Sequence, residues 1–144
     1  MSDKIELTAL TAWLGFNSLA SVIRGWSKSE DGVDGDTFTL ARTLYKALKP
    51  HAIAREEGMS LIGEQYAVME QTMGGSKSKT DEAGNIVWKK GKEAEGRKAL
   101  KALNEEAVTI EVKPLQMSKL APKGAKVGNP GELIALEELG LVAE

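Results

Sequence analysis

The histidine at position 51 is the side chain best suited to acid-base chemistry, because an unperturbed imidazole titrates near neutral pH. Catalysis would require a nucleophile or a carboxylate close to it, and Glu56 and Glu57 follow about one and a half helical turns along the chain. A histidine on the surface of a kinked helix is the simpler interpretation, and we favour it. The enzyme hypothesis predicts that His51→Ala abolishes an activity whose substrate the sequence does not name.

Positive charge is concentrated between positions 89 and 101, which we interpret as the one local cluster of cations. This basic cluster consists of Lys89, Lys90, Lys92, Arg97, Lys98 and Lys101. Such side chains neutralise phosphates and release counterions, and Trp88 beside them could stack on a base. Glu93 and Glu95 interrupt the cluster, and a lone tryptophan more often anchors a loop on the core. Nucleic-acid binding is therefore the alternative hypothesis and not the favoured one.

Composition excludes several other kinds of site. The 144 residues include no cysteine and 1 histidine, so disulfides, thiolate nucleophiles and zinc sites with cysteine ligands are excluded by counting. The 19 Lys and Arg and 21 Asp and Glu give a net charge of −2, which does not attract nucleic acid or an anionic membrane globally. No apolar stretch approaches the about 20 residues of a membrane span. We predict no cofactor, no metal and no membrane span.

The elements that position these residues follow from the apolar spacing. Alternation around Ile5 and Leu7 predicts a short, half-buried strand. Apolar residues at intervals of three and four then predict a first helix over about 10–24. Glycine and short polar residues predict a flexible loop over about 27–35.

A second, longer helix is predicted after this loop. Its N-cap is Asp36, and its apolar stripe continues in phase to Met73, which predicts a long helix kinked near Pro50, with two collinear helices as the alternative. The glycines at 74 and 75 end it, and a flexible loop is expected over about 74–85. Residues 85–88 form a brief extended segment in this prediction.

The last third of the chain predicts a helix, a strand and another helix. The third helix covers about 92–106 and faces inward at Ala99, Leu100, Leu103 and Ala107. The strand covers 108–112, and we hypothesise that it pairs with the strand at Ile5. A linker at 121–128 precedes a short C-terminal helix that Gly140 ends and Leu141 packs back against, so that 121–144 forms a linker and helix.

The fold class predicted from these elements is α+β, mostly α, in a single domain over 1–144. It has a long helical hairpin with a kinked second helix, a minor two-stranded sheet and a short C-terminal helix. Aromatic and methionine side chains on the helical stripes are candidates both for the core and for an interface. The interface candidates are Trp13, Phe16, Trp26, Tyr45, Met59, Tyr66, Met69 and Trp88.

The order of elements resembles the DUF1617 family, small tailed-bacteriophage proteins of unknown function. The resemblance rests on short segments along nearly the whole chain. These include Ile-Glu-Leu at 5–7, Leu-Tyr-Lys-Ala-Leu-Lys-Pro at 44–50, the acidic turn at 81–85, the strand at 108–112 and Asn-Pro-Gly-Glu-Leu at 129–133. The resemblance implies a phage-encoded particle or assembly component near the neck, tail or capsid surface, and it brings no catalytic residues.

The favoured hypothesis is therefore a non-enzymatic virion or assembly protein that contacts other phage structural proteins and copies of itself in several symmetric copies. Acidic residues at the N-terminus do not match a signal peptide, so we expect synthesis in the host cytoplasm and association with the virion. The alternative is a small phage-encoded protein that binds nucleic acid or a host factor through the basic cluster. Acids at 30–36 and bases at 89–101 could set the register between neighbouring copies.

Overall fold

A computed structural model describes residues 3–26, 35–113, 115–116, 136 and 138–143. Within these residues the fold is α+β and mostly α, as predicted. The helices are α1 (Ala9–Trp26), α2 (Gly35–Tyr66) and α3 (Glu93–Glu105). The strands are β1 (Asp3–Thr8), β2 (Met69–Thr72), β3 (Gly75–Ser78), β4 (Ala107–Val112), β5 (Leu115–Gln116) and β6 (Val142–Ala143). The loop predicted at 27–35, apart from Gly35, and the linker at 121–128 lie outside the described residues.

Strands β1 and β4 form an antiparallel pair, although about 100 residues separate them in the sequence, which confirms the predicted pairing. Ile5 lies opposite Ile110, and Leu7 lies opposite Val108. Alternate residues of β4 are buried, because successive side chains of a strand point to opposite faces. The buried face of this two-stranded sheet joins a hydrophobic core with α1, as a sheet of only two strands requires for stability.

The residue contacts divide the chain into two compact units, with the boundary inside α2 after Ala52. Unit 1 comprises Met1–Ala52 with Ala107–Glu144, and unit 2 comprises Ile53–Glu106. Unit 1 holds the main hydrophobic core, to which α1, the first part of α2, the β1–β4 sheet and the C-terminal segment contribute. Its largest fully buried side chains are Leu19, Val22, Leu44, Leu48, Leu136 and Leu141.

The predicted stop of the C-terminal helix at Gly140 is confirmed. Leu136 and Glu138 are helical, and Gly140 has a φ of +76°, in the left-handed region that favours glycine. The Leu141 N–H then donates to the Leu136 carbonyl at 3.0 Å, the six-to-one hydrogen bond of a Schellman motif. The buried Leu141 side chain returns to the core as expected. The predicted start of this helix lies outside the described residues.

The predicted extent of the second helix is wrong at its C-terminal end. The helix is continuous through Pro50, but it ends at Tyr66 and not at Met73. Strands β2 and β3 follow it as an antiparallel hairpin with Met73 and Gly74 at the turn. Gly75, with a φ of +139°, supplies the backbone conformation that this turn requires. Met69, which the apolar spacing assigned to the helix, therefore lies in a strand that pairs with β3. Met73 is fully exposed.

The segment predicted as a loop over 74–85 consequently contains a strand and an ordered turn. Val68 is bonded through its backbone to both Val87 and Lys79, and Thr80 forms a bridge with Ile86. The extended segment predicted at 85–88 is present as isolated bridges. The third helix agrees with its prediction to within a residue, except that Ala107 begins β4 and is exposed there.

Candidate functional site

A groove with an apolar floor and a positively charged rim lies between α1 and α2 in unit 1. We call it the basic-rimmed groove, and its lining is Ile23 from α1 with Phe38, Arg42, Tyr45, Lys46 and Lys49 from α2. Its volume is about 320 Å³, and the accessible surface that lines it is almost entirely carbon. Ile23 and Tyr45 are half-buried, whereas the Phe38 side chain is 48% exposed.

Tyr45, one of the lining residues of the groove, belongs to an aromatic pair. The rings of Phe16 and Tyr45 have centroids 4.7 Å apart and planes inclined by 36°. Both side chains are half-buried and pack against the core of unit 1. Offset and tilted aromatic pairs contribute packing energy beyond the area that they bury. Tyr45 is therefore held in position before any partner binds.

The cationic rim follows from helical spacing. Arg42, Lys46 and Lys49 are separated by four and three residues, so they lie on neighbouring turns along one side of α2. All three are exposed, and none forms an ion pair with an acid in the part of the chain that the structure describes. The rim therefore presents three positive charges beside an apolar surface.

The sequence interpretation missed this groove apart from Tyr45. A signal was present, because the stretch 37–55 contains no Asp or Glu but does contain four Lys and Arg residues. The interpretation of 89–101 as the one cluster of cations is thus wrong. Core residues such as Leu44 and Leu48 lie between Arg42, Lys46 and Lys49 in the sequence. The three cations come together only on the surface of the helix, so they do not stand out in the sequence as a run of charge.

The structure separates the predicted interface candidates by burial. Trp26 is only 5% exposed and belongs to the core of unit 1, which is the first of the two roles predicted for these side chains. Trp13 is half-buried in α1. In unit 2, four candidates are half-buried: Met59, Tyr66, Met69 and Trp88. Phe16 and Tyr45 form the aromatic pair, of which Tyr45 lines the groove.

The basic cluster lies in unit 2, and half of its cations already have local partners. Lys89 donates from Nζ to the Glu64 carbonyl at 2.9 Å. Arg97 contacts Glu93, with 2.9 Å between Nη2 and Oε1, and Lys92 lies 3.6 Å from a carboxylate oxygen of Glu95. Exposed pairs of this kind are weak. They nevertheless place acids among the bases, as the interruption in the sequence suggested. Lys90, Lys98 and Lys101 complete the cluster and are exposed.

Trp88 is packed against α3 and is half-buried. A β-carbon at Gly96 would meet atoms Cε3 and Cζ3 of the Trp88 ring, so the glycine is what permits this contact. A cavity of about 400 Å³ lies beside it, with Asp81, Lys90 and Arg97 among its lining. Its lining is mixed in charge, and Asp81 accepts hydrogen bonds from the backbone of Ala83 and Asn85. Anchoring of the loop accounts for Trp88 better than base stacking does.

The side chains considered for acid-base chemistry lie on α2. His51 is half-buried, and Glu56 and Glu57 are exposed. Among the described residues, no group of three or more His, Cys, Asp and Glu side chains has a geometry that could hold a metal ion. Arg55 is buried on the same helix, and its Nε donates to Asn104 Oδ1 at 3.0 Å. Burial lowers the pKa of the Arg55 guanidinium, and the neighbouring Glu56 carboxylate opposes that shift.

Within the described ranges, no helix combines the length and the apolar character that crossing a bilayer requires. Comparisons with protein-family models, with curated proteins and with solved structures find no match for this chain. The resemblance to the phage family therefore stays a prediction.

Proposed function

We propose that the protein is a non-enzymatic component of a bacteriophage particle or of its assembly, and that it acts by binding other phage structural proteins and copies of itself. The observation that carries the binding role is the basic-rimmed groove, whose apolar lining includes the half-exposed Phe38. The phage setting is supported by the resemblance of the short sequence segments and their order.

The residue types of the groove favour a protein partner. Aromatic side chains and arginine are enriched among the residues that contribute most binding energy at protein interfaces. Phe38, Tyr45 and Arg42 supply these types within one groove. Because Tyr45 is held by Phe16, little side-chain entropy is lost when a partner covers it.

The alternative role in binding nucleic acid has less support. Part of the Trp88 ring packs against Gly96, and Lys92 and Arg97 each lie beside a glutamate. A phosphate backbone would have to compete with those carboxylates. The basic cluster is better explained as an exposed surface with local ion pairs, formed by α3 and the residues before it.

The copy number of the protein in purified particles tests this proposal. A structural component is present at a fixed number that matches a symmetry of the particle, because closed assemblies repeat one interface. Quantitative mass spectrometry, calibrated against the major capsid protein, measures that number. Absence from particles and from all assembly intermediates would contradict the proposal.

A further inference from the structure

We infer that the basic-rimmed groove binds an acidic protein segment that inserts one large apolar side chain between Ile23, Phe38 and Tyr45. This inference deepens the proposed function and rests on it in one respect, since both assign protein binding to the same groove. It adds the chemistry of the partner, which the proposed function leaves open.

The size and lining of the floor argue for a single apolar side chain. A volume of about 320 Å³ is at the lower end of the range for small-molecule sites, which is about 300–1,000 Å³. The lining is almost entirely carbon, so nothing in the floor would pair with the polar edge of a nucleobase or of a cofactor. An aliphatic or aromatic side chain gains from burial there without leaving a polar group unsatisfied.

The rim argues for negative charge on both sides of that side chain. Arg42, Lys46 and Lys49 repel one another at a spacing of three and four residues, and none of them forms an ion pair with an acid of the described residues. Arg42 and Lys49 are separated by about 10 Å along the helix axis. Carboxylates on one face of an extended segment are about 7 or 13 Å apart, at spacings of two or four residues, and these distances bracket the separation of the two cations.

The arrangement favours a peptide over a phosphate polymer or a membrane surface. A nucleic acid would place its charges along a continuous track and stack successive bases on several aromatic faces, whereas Phe38 is the one exposed aromatic side chain among the groove residues and Tyr45 is packed against Phe16. A membrane surface is recognised by clusters of four to eight basic residues, and this rim has three. An acidic segment with one apolar anchor uses the rim and the floor together.

Binding of fluorescently labelled acidic peptides to the full chain, followed by fluorescence anisotropy, tests the inference. Three probes carry one Leu, Phe or Trp flanked on each side by Glu and Asp, and two matched probes replace the apolar residue by Ser or the acids by their amides. We expect saturable binding of at least one apolar acidic probe. Binding should weaken as NaCl rises from about 50 to 500 mM, because the rim is exposed. Each matched probe should bind about tenfold more weakly.

Two groove variants assign the binding to these residues. The triple variant Arg42→Gln, Lys46→Gln, Lys49→Gln and the single variant Phe38→Ala should each weaken binding about tenfold. The matched controls are the triple variant Lys90→Gln, Lys98→Gln, Lys101→Gln, which removes the same charge, and Leu61→Ala, which removes another exposed apolar side chain. Both controls should stay within about twofold of the wild type. Circular dichroism establishes that all four variants are folded.

Several results would overturn the inference. These are the absence of saturable binding by all three apolar acidic probes, equal losses in the groove and control triples, and tighter binding of phosphatidylglycerol vesicles or oligothymidylate that the groove triple abolishes. The peptide-binding experiment and the copy-number experiment test the two proposals separately. A protein present in particles at a symmetric number but without peptide binding refutes only the acidic partner. A protein that binds the peptides but is absent from particles refutes only the structural role.

Discussion

Trp88 packs against Gly96 so closely that a β-carbon at position 96 would meet the six-membered part of the indole ring. The contact joins the segment after the β-hairpin to the first turn of α3 and is part of the internal packing of unit 2. It also explains why the tryptophan beside the basic cluster is half-buried. The side chain that the sequence offers as a possible stacking platform thus packs part of its ring against α3.

Substitution of Gly96 by alanine tests this contact. Alanine favours helix over glycine by about 1 kcal/mol, but the rigid ring of Trp88 cannot move aside as the end of a flexible side chain could. We expect Gly96→Ala to lower the free energy of unfolding by about 1–2 kcal/mol in urea titrations. Gly74→Ala, where a β-carbon would meet nothing within 4 Å, is the matched control. A gain in stability of about 1 kcal/mol, the value expected from helix propensity alone, would show that the ring does not fill this space.

The pairing of Ile5 with Ile110 predicts which substitutions in the sheet reduce the free energy of unfolding most. Both side chains are buried, at 8% and 4% exposure, in the core of unit 1. Ile110→Ala should reduce the free energy of unfolding by about 2–4 kcal/mol, through lost burial and the cavity left behind. The neighbouring Thr109→Ala, on the exposed face of the same strand, should cost less than about 1 kcal/mol. Similar losses for the two variants would contradict the assigned register.

The left-handed backbone at Gly140 predicts a specific order of stability among variants. Gly140→Ala should destabilise the chain by about 1–2 kcal/mol, because a β-carbon disfavours a φ of +76° although nothing lies within 4 Å of it. Gly140→Asn should cost less, since asparagine tolerates this conformation. Thermal denaturation of the three proteins measures the order. The same midpoint in all of them would contradict the Schellman motif.

The hydrogen bond from Arg55 to Asn104 predicts a cost for removing its acceptor. Asn104→Ala leaves the Nε donor of a buried guanidinium without this partner, which we expect to cost about 1–3 kcal/mol of stability. Asn104→Asp keeps an acceptor at the same position and should retain most of that stability. Urea titrations of both variants provide the comparison, and an equal loss in the two would assign the effect to packing and not to the hydrogen bond.

The sequence predicted those strands and helices in which the spacing of apolar residues fits only one type of secondary structure. The alternation around Ile5 and Ile110 indicated two strands and their pairing, because each needed a partner to bury its apolar face. The glycine at 140 with the following leucine indicated a helix end, since few other combinations satisfy the last carbonyls.

The features that sequence reasoning missed depend on tertiary contacts. Met69 fits a helical stripe and a strand equally well, and only its pairing opposite Ser78 decides for the strand. The groove depends on the approach of Ile23 to a helix more than a dozen residues later in the chain. Its cations are separated along the sequence by core residues, so the sequence contains no run of like charge at this site.

The most direct test of the account is the copy number per particle of the wild type beside that of the groove triple variant Arg42→Gln, Lys46→Gln, Lys49→Gln. If the protein is an assembly component that binds through this groove, the wild type is present at a fixed, symmetric number. The groove triple is then strongly depleted, while the triple variant at Lys90, Lys98 and Lys101 is incorporated normally. Incorporation of the groove triple at the wild-type number, or absence of the wild type from particles and their intermediates, would contradict the account.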